Sequence, residues 1–432
     1  MKVIIVGGGA GGLELATLLG RKLGKREAHE IVLIDRNPTH LWKPLLHEVA
    51  AGSLDAETDS VSYRAHAHAH NFQFKLGTLS GVDRKQKSIH LAPVVDQEGK
   101  EILPQREETY DQLVLAIGSA CNDFGIEGIK EHCKFLDSTK QALKFHERLV
   151  NHFIRLNRTL LDDPNARLKV GIVGGGATGV ELAAELFNSR NLFSLYGLKR
   201  IKDEHLEVTL LEAGPRLVPA LSEKVSTTVF NDLSKLGTNI RLNTQVAKAE
   251  KNTFITSNDE VIEADMMLWA AGIKVPQFIA DIDGLETNRI NQLIVNEHLQ
   301  TTQDKNIYAI GDCAGFQLDE KRWVPPRAQS AHQMASIVGK NIIRISKDKP
   351  LIPFKYKDNG SLISLSEFST VVVLMGNLVR GDNFNVRGKI ARIAYISLYR
   401  MHQIALHGWI RATLFMLADK INHILKPRLK LH

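Results

Sequence analysis

The strongest constraint on what this chain can fold into is a glycine pattern that occurs twice. Residues 3–6 are a short β-branched run that leads into Gly7-Gly8-Gly9-Ala10-Gly11-Gly12, which fits G-x-G-x-x-G at Gly7, Gly9 and Gly12. A helix is expected over residues 13–23, and a second buried strand over 31–34, closed by Asp35. That order, strand, glycine turn, helix, strand, acid, is the dinucleotide-binding fingerprint in its required context. Gly7 makes the tight turn, Gly9 lets the backbone approach a pyrophosphate, and Gly12 lets helix and strand pack closely. The helix N-terminus faces the phosphates, and Asp35 can accept hydrogen bonds from a ribose.

The whole pattern returns 167 residues later. Residues 169–173 read as a strand. Gly174, Gly176 and Gly179 form the second G-x-G-x-x-G, residues 180–187 continue as a helix, and the strand over 208–211 ends at Glu212. Two complete fingerprints imply two dinucleotides. A carboxylate at the end of the second strand meets a 2′-phosphate unfavourably, so Glu212 favours NADH over NADPH; Arg216 nearby argues the other way. Two further strands end in glycine turns: residues 110–118, with Ala116 and Gly118, and residues 264–272, closing at Gly272. A third, over 306–314, delivers Asp312 to a turn.

This set resembles the two-dinucleotide-binding-domain flavoproteins, the glutathione-reductase-like group. The resemblance implies an α/β fold with two Rossmann-type domains, non-covalent FAD on the first fingerprint, NADH as co-substrate on the second, and Asp312 on the ribityl chain of the flavin. The expected domains are 1–120 (FAD, first part), 121–285 (inserted NADH domain), 286–345 (FAD, second part), 346–388 (a strand-rich segment) and 389–432 (an amphipathic membrane-docking helical segment).

The electron acceptor is the next question. The chain has three cysteines, Cys121, Cys133 and Cys313, with no C-x-x-C or C-x4-C pair, which disfavours disulfide-reductase and sulfide:quinone chemistry. Two other stretches point elsewhere. Ala328-Gln329-Ser330-Ala331-His332-Gln333 matches A-Q-x-A-x-Q, and residues 44–52 (PLLHEVAAG) match P-L-L-x-E-V-A-x-G. Both resemble the type II NADH:quinone oxidoreductases, most nearly the bacterial membrane-bound respiratory enzyme, and the likeness runs over essentially the whole chain. It implies that Gln329, His332 and Gln333 line the quinone site and that Glu181 faces the nicotinamide and flavin region. Glu181, Gln329 and Gln333 become the catalytic candidates, because quinone reduction consumes protons that amides and carboxylates can orient or relay. Lys43 is expected in the flavin loop. Two further readings stay open: a soluble flavoprotein reductase feeding a small redox protein, and an NADH-sensing flavoprotein without turnover.

Charge locates the partner surface. The net charge is +7, and residues 389–432, with eight Lys or Arg against Asp419, carry all of it; the remainder is neutral. Nucleic-acid binding is therefore not expected. On a helical period Lys389, Arg392, Arg400, His407 and Arg411 share one face, and Ala394, Leu398, Met401, Ala405, Trp409, Ala412 and Met416 the other. The expected partners are an anionic bilayer and a membrane quinone, with the protein peripheral on the cytoplasmic face of the inner membrane and, with no spanning segment expected, without ion pumping. Quinone type and dimerisation stay open. The run His66-Ala67-His68-Ala69-His70 is expected to be a surface run, not a metal site.

Overall fold

The computed structural model describes residues 1–96, 98–195, 197–282, 284–365, 369–374, 384–386, 401–410, 412–414, 417 and 421. The chain divides into two compact units. The first comprises Met1–Trp42, Ser60–Ala120 and Ile273–Lys357. The second comprises Lys43–Asp59, Cys121–Gly272 and Asp358–His432.

In the first unit the strand Lys2–Val6 lies between Gln112–Leu115 and Glu30–Asp35, all parallel. Gln73–Leu76 extends one edge, and Asp304–Ala309 with the antiparallel Gln300–Thr301 the other. The central strands are buried on both faces, which is why they read as unbroken apolar runs. The helix Ala10–Lys22 follows the first strand, and Ala328–Ile345 packs along it closely enough that a Cβ on Gly339 would lie 2.4 Å from Leu18. The order around the central strand creates the switch point at whose carboxyl edge ligands bind in open α/β sheets.

The second unit repeats the plan with four parallel strands in the order Asn239–Arg241, Leu206–Leu211, Leu168–Val173 and Met266–Trp269. The helix Ala177–Leu195 follows the second glycine turn. Three features depart from the expected domain limits. The chain returns to the first unit at 273 instead of 286, the first unit runs on to Lys357 instead of 345, and residues 43–59 belong to the second unit, not the first. Their short helix, Leu46–Ala51, is held there by Ser189, whose Oγ donates to the Ala51 carbonyl at 2.6 Å.

The histidine run is a correction. Residues 63–70 form a helix, so His66 and His70 fall one turn apart on the same side and are buried, while His68 is exposed. Alternation in sequence suggested a surface; the helical period placed two of the three rings inside, with His66 Nε2 2.8 Å from Thr17 Oγ1 and Arg21 Nε donating to His70 Nδ1.

The C-terminal segment is also revised. Residues 401–407 are helical, but Gly408 adopts φ +80° and divides them from the helical residues that follow. Leu406 and Ala412 are buried, whereas Met401, Trp409, Ile410, Leu414, Leu417 and Ile421 are exposed. The exposed apolar row thus runs through 410, 414, 417 and 421, and Ala412, expected on it, faces inward. Lys389, Arg392, Ala394, Leu398, Arg400, Arg411 and Met416 lie outside the described residues. Among the described residues no helix is long and apolar enough to cross a membrane.

The glycine turn gives a direct test. A Cβ on Gly12 would sit 1.8 Å from the Gly7 carbonyl oxygen, while one on Gly9 meets nothing within 4 Å. Gly12→Ala should therefore lower unfolding stability by about 1–3 kcal/mol, the usual cost of overpacking, and Gly9→Ala should leave it unchanged; thermal denaturation of the two variants compares them.

Candidate functional site

The two glycine turns are built to the same dimensions. Gly7 N donates to Ile34 O at 2.8 Å, and Gly174 N to Leu211 O at 2.8 Å. Gly8 N donates to Asp35 Oδ2 at 2.7 Å, and Gly175 N to Glu212 Oε2 at 2.7 Å. A Cβ on Gly7 would meet the Ala116 carbonyl oxygen at 2.5 Å, and one on Gly174 the Ala270 carbonyl oxygen at 2.7 Å. Gly9 and Gly176, by contrast, open on space. Each turn is closed where protein backbone passes and open at the glycine expected to face a pyrophosphate. The helix Ala10–Lys22 has no side-chain cap and no acid in its first turn, so its leading N–H groups and dipole are suited to an anion.

The acids that end the second strands are held in place. Asp35 also accepts from the Asn37 amide at 2.7 Å, and burial raises its pKa despite these bonds. Glu212 accepts from Gly214 N at 2.7 Å through its other oxygen. The guanidinium of Arg216 donates to the carbonyls of Leu221 and Pro219 at 3.1 and 2.8 Å. Those bonds tie two of the five guanidinium N–H groups of Arg216 to its own loop.

The remaining candidates fall in either unit. In the first, Asp312 Oδ2 accepts from Ser119 Oγ at 2.7 Å, and its carbonyl accepts from Gln292 Nε2 at 2.9 Å. Gly118, two residues past Ala116, opens on space. Gln329 stands half-buried in the first turn of Ala328–Ile345. His332, one turn further on, bonds Glu14 through Nδ1, and that bond raises its pKa. Gln333 uses both ends of its amide on Lys357, donating to its carbonyl at 2.8 Å and accepting from its amide at 3.0 Å. Gln333 therefore acts first as a splint between helix and chain, a role the motif alone did not show.

In the second unit, Lys43 is exposed at the head of the short turn Lys43–Leu45. Gly272 adopts φ +63° and would bring a Cβ to 2.4 Å from the ring of Phe124. Glu181 lies on the helix Ala177–Leu195, buried, with Oε1 accepting from the Ser364 amide at 3.2 Å. Burial, opposed by that bond and assisted by the charges of Glu48 and Glu185, pushes its pKa up to about 8. Facing it at 3.6 Å is the ring of His47, whose pKa burial lowers to about 4. At neutral pH the pair is a protonated acid beside a neutral imidazole.

Sequence reasoning missed several members of the site. Tyr63 donates its hydroxyl to the Gly8 carbonyl at 2.7 Å and stacks on Phe74, with burial first and Asp35 second raising its pKa. Ser119 and Gln292 as partners of Asp312 carried no motif. The three cysteines are free thiols, and burial pushes each up to about 12, so none is a ready thiolate.

A family model described as pyridine nucleotide-disulphide oxidoreductase matches residues 1–335, which agrees with the class that the paired cradles define. Within that class the chain belongs to the type II NADH:quinone oxidoreductases. It is 50% identical to the enzyme of that name from Haemophilus influenzae, over 100% of this chain and 99% of that one. It is 28% identical to the one from Staphylococcus saprophyticus, over 88% of this chain and 91% of that one. Among solved structures, an NDH2 from Plasmodium falciparum in complex with NADH superposes with a TM-score of 0.81 over 99% of both chains, at 20% identity.

The raised pKa of Glu181 has a stability signature. A carboxyl whose folded pKa is raised favours folding fully below the ordinary value of 4.5, and that contribution is lost as pH rises through about 8. Relative to Glu181→Gln, the wild-type protein should lose stability steadily across this window; denaturant midpoints of both proteins, measured at intervals of pH, check it.

Proposed function

We propose that this protein oxidises NADH and reduces a membrane quinone, with FAD held non-covalently on the first cradle and NADH on the second. The observation that carries the reading is the full-length 50% identity to an enzyme of that activity, together with two cradles of matching dimensions. The residues fit FAD: Gly9 leaves room for a pyrophosphate, Asp35 ends the strand where a ribose would lie, and Asp312 offers a carboxylate anchored by Ser119. Lys43, Ala116 and Gly118 complete the set we assign to the flavin, and Gly174, Gly176, Gly179, Glu212 and Gly272 the set we assign to NADH. When bound, FAD supplies the two-electron chemistry that links a hydride donor to a quinone.

The chain's own residues do the rest. Glu212 favours the ribose hydroxyls of NADH over a 2′-phosphate. Glu181, neutral at pH 7, stands as proton donor toward a reduced acceptor. Gln329 and His332 are the residues we assign to the quinone, with Gln333 fixing their helix to Lys357. Cys133 and Cys313 are buried and Cys121 half-buried, and all three are held protonated, which weighs against disulfide or sulfide chemistry.

A lipid-soluble acceptor calls for a membrane surface. We assign it to the exposed apolar row Trp409, Ile410, Leu414, Leu417 and Ile421, flanked by the basic residues of 389–432. An interfacial helix of this composition docks on an anionic leaflet, and we place the protein peripherally on the cytoplasmic face of the inner membrane.

Stopped-flow absorbance of the flavin tests the proposal: NADH should bleach it and a quinone should restore it, and a flavin that no quinone reoxidises would rule the reading out. NADPH should reduce it far more slowly, and Glu212→Gln should narrow that gap mainly by speeding NADPH. Gln329→Ala should slow reoxidation while leaving reduction by NADH within about twofold of wild type, since an interaction confined to one half-reaction leaves the other untouched.

A further inference from the structure

The geometry points to a proton route in which His47 passes protons from Glu48 to Glu181, making His47 a positioning and relay residue for the quinone half-reaction. This rests on the functional reading above. The balance of that reaction requires such a route. NADH gives up a hydride, which supplies two electrons and one proton; a quinone becomes a quinol by taking two electrons and two protons. One proton per turnover must therefore come from water.

Glu181 is badly placed to collect it alone. Its side chain is 10% exposed, whereas that of Glu48 is 22% exposed. His47 lies between them with its side chain 3% exposed, Nδ1 3.6 Å from Glu181 Oε2 and Nε2 3.9 Å from Glu48 Oε1. Each ring nitrogen thus addresses a different carboxylate. These separations exceed a formed hydrogen bond, and a contraction of under an ångström closes each, as acid–base contacts do when an active site fills. In the transfer, Glu48, the more exposed carboxylate, first takes a proton from water; its new O–H then breaks as Nε2–H forms, and Nδ1–H breaks as that proton restores the carboxyl that Glu181 lost by giving its own proton toward a quinone oxygen. The ring ends in its other tautomer with no net charge change.

The surroundings suit this traffic. At rest the Pro44 carbonyl takes the one N–H of the neutral His47 ring, so the relay requires the ring to release that bond. Glu185, one turn beyond Glu181, accepts from Ser53 Oγ at 3.0 Å and Asn188 Nδ2 at 3.3 Å, and its charge helps keep Glu181 protonated. The strand Ser361–Leu365 contributes the Ser364 amide. The helix Thr139–Thr159, packed on the same short helix, turns an apolar face of Ala142, Phe145, Leu149 and Phe153 inward. A neutral imidazole keeps one donor and one acceptor at pH 7, as a relay requires.

His47→Gln and Glu48→Gln in the full-length, FAD-loaded protein test the route, with ubiquinone-1 as acceptor. Reoxidation should slow by about tenfold or more, as loss of general acid–base assistance does, with a larger solvent deuterium isotope effect and unchanged reduction by NADH. Independently of turnover, the infrared carboxylic-acid band that Glu181→Gln abolishes should exchange with deuterium more slowly in both variants. If His47→Gln fails to hold flavin, Glu48→Gln, altered at the more exposed end, decides alone. Wild-type reoxidation, isotope effect and band exchange in the variants would overturn the relay while leaving the function intact. A wild-type protein that NADH reduces but no quinone reoxidises would overturn the functional reading and the relay with it.

Discussion

A single hydrogen bond, made twice, organises this molecule: a glycine amide donates to the carboxylate that ends the neighbouring strand, Gly8 to Asp35 and Gly175 to Glu212. It fixes the turn against the second strand, so the glycine after it faces open space and the helix N-terminus is aimed outward. It also leaves each acid at the carboxyl end of its sheet, tied to the backbone. The turn permits no side chain behind it, because the Gly7 carbonyl occupies the place a Cβ on Gly12 would need. Strand, turn, helix and acid are then one device, which is why sequence could declare it.

What was legible follows from that. The apolar runs 3–6, 31–34, 169–173 and 208–211 lie within parallel strands buried on both faces, and such strands announce themselves by composition. The acids at 35, 212 and 312 were found because each ends or follows a strand. What stayed hidden depended on distance in sequence or on helical phase. Ser119 meets Asp312 across 193 residues. His66 and His70 turned inward because a helix, not a strand, carries them. Gln333 matched a motif, but its partner is a backbone with no side-chain signal. Gly408 broke the expected long helix by a left-handed backbone angle that its one-letter code only permits.

The Glu181 neighbourhood shows how environment assigns chemistry to common residues. Three carboxylates in water would hold three charges at neutral pH, beside an imidazole that titrates close to it. Inside the second unit burial removes the charge of Glu181 by raising its pKa and holds His47 neutral by lowering its own, so that both are neutral where they meet. A neutral pair removes most of the electrostatic cost of enclosing them. It also leaves them ready to exchange a proton instead of locked in a salt bridge.

The excursion of residues 43–59 bears on how the chain reaches its native state. The Ala51 carbonyl is bonded by Ser189, 138 residues downstream, and Ser53 by Glu185. On a ribosome this segment emerges long before its partners, flanked by chain that belongs to the other unit. It must wait undocked, its apolar Leu45, Leu46, Val49 and Ala50 exposed, until the helix Ala177–Leu195 has been synthesised. Neither unit can then complete from a contiguous stretch, and long-range closure of this kind slows folding and lengthens exposure to aggregation. The PLLHEVAAG segment is thus a part of the second unit that closes late, after the helix it docks on has been made.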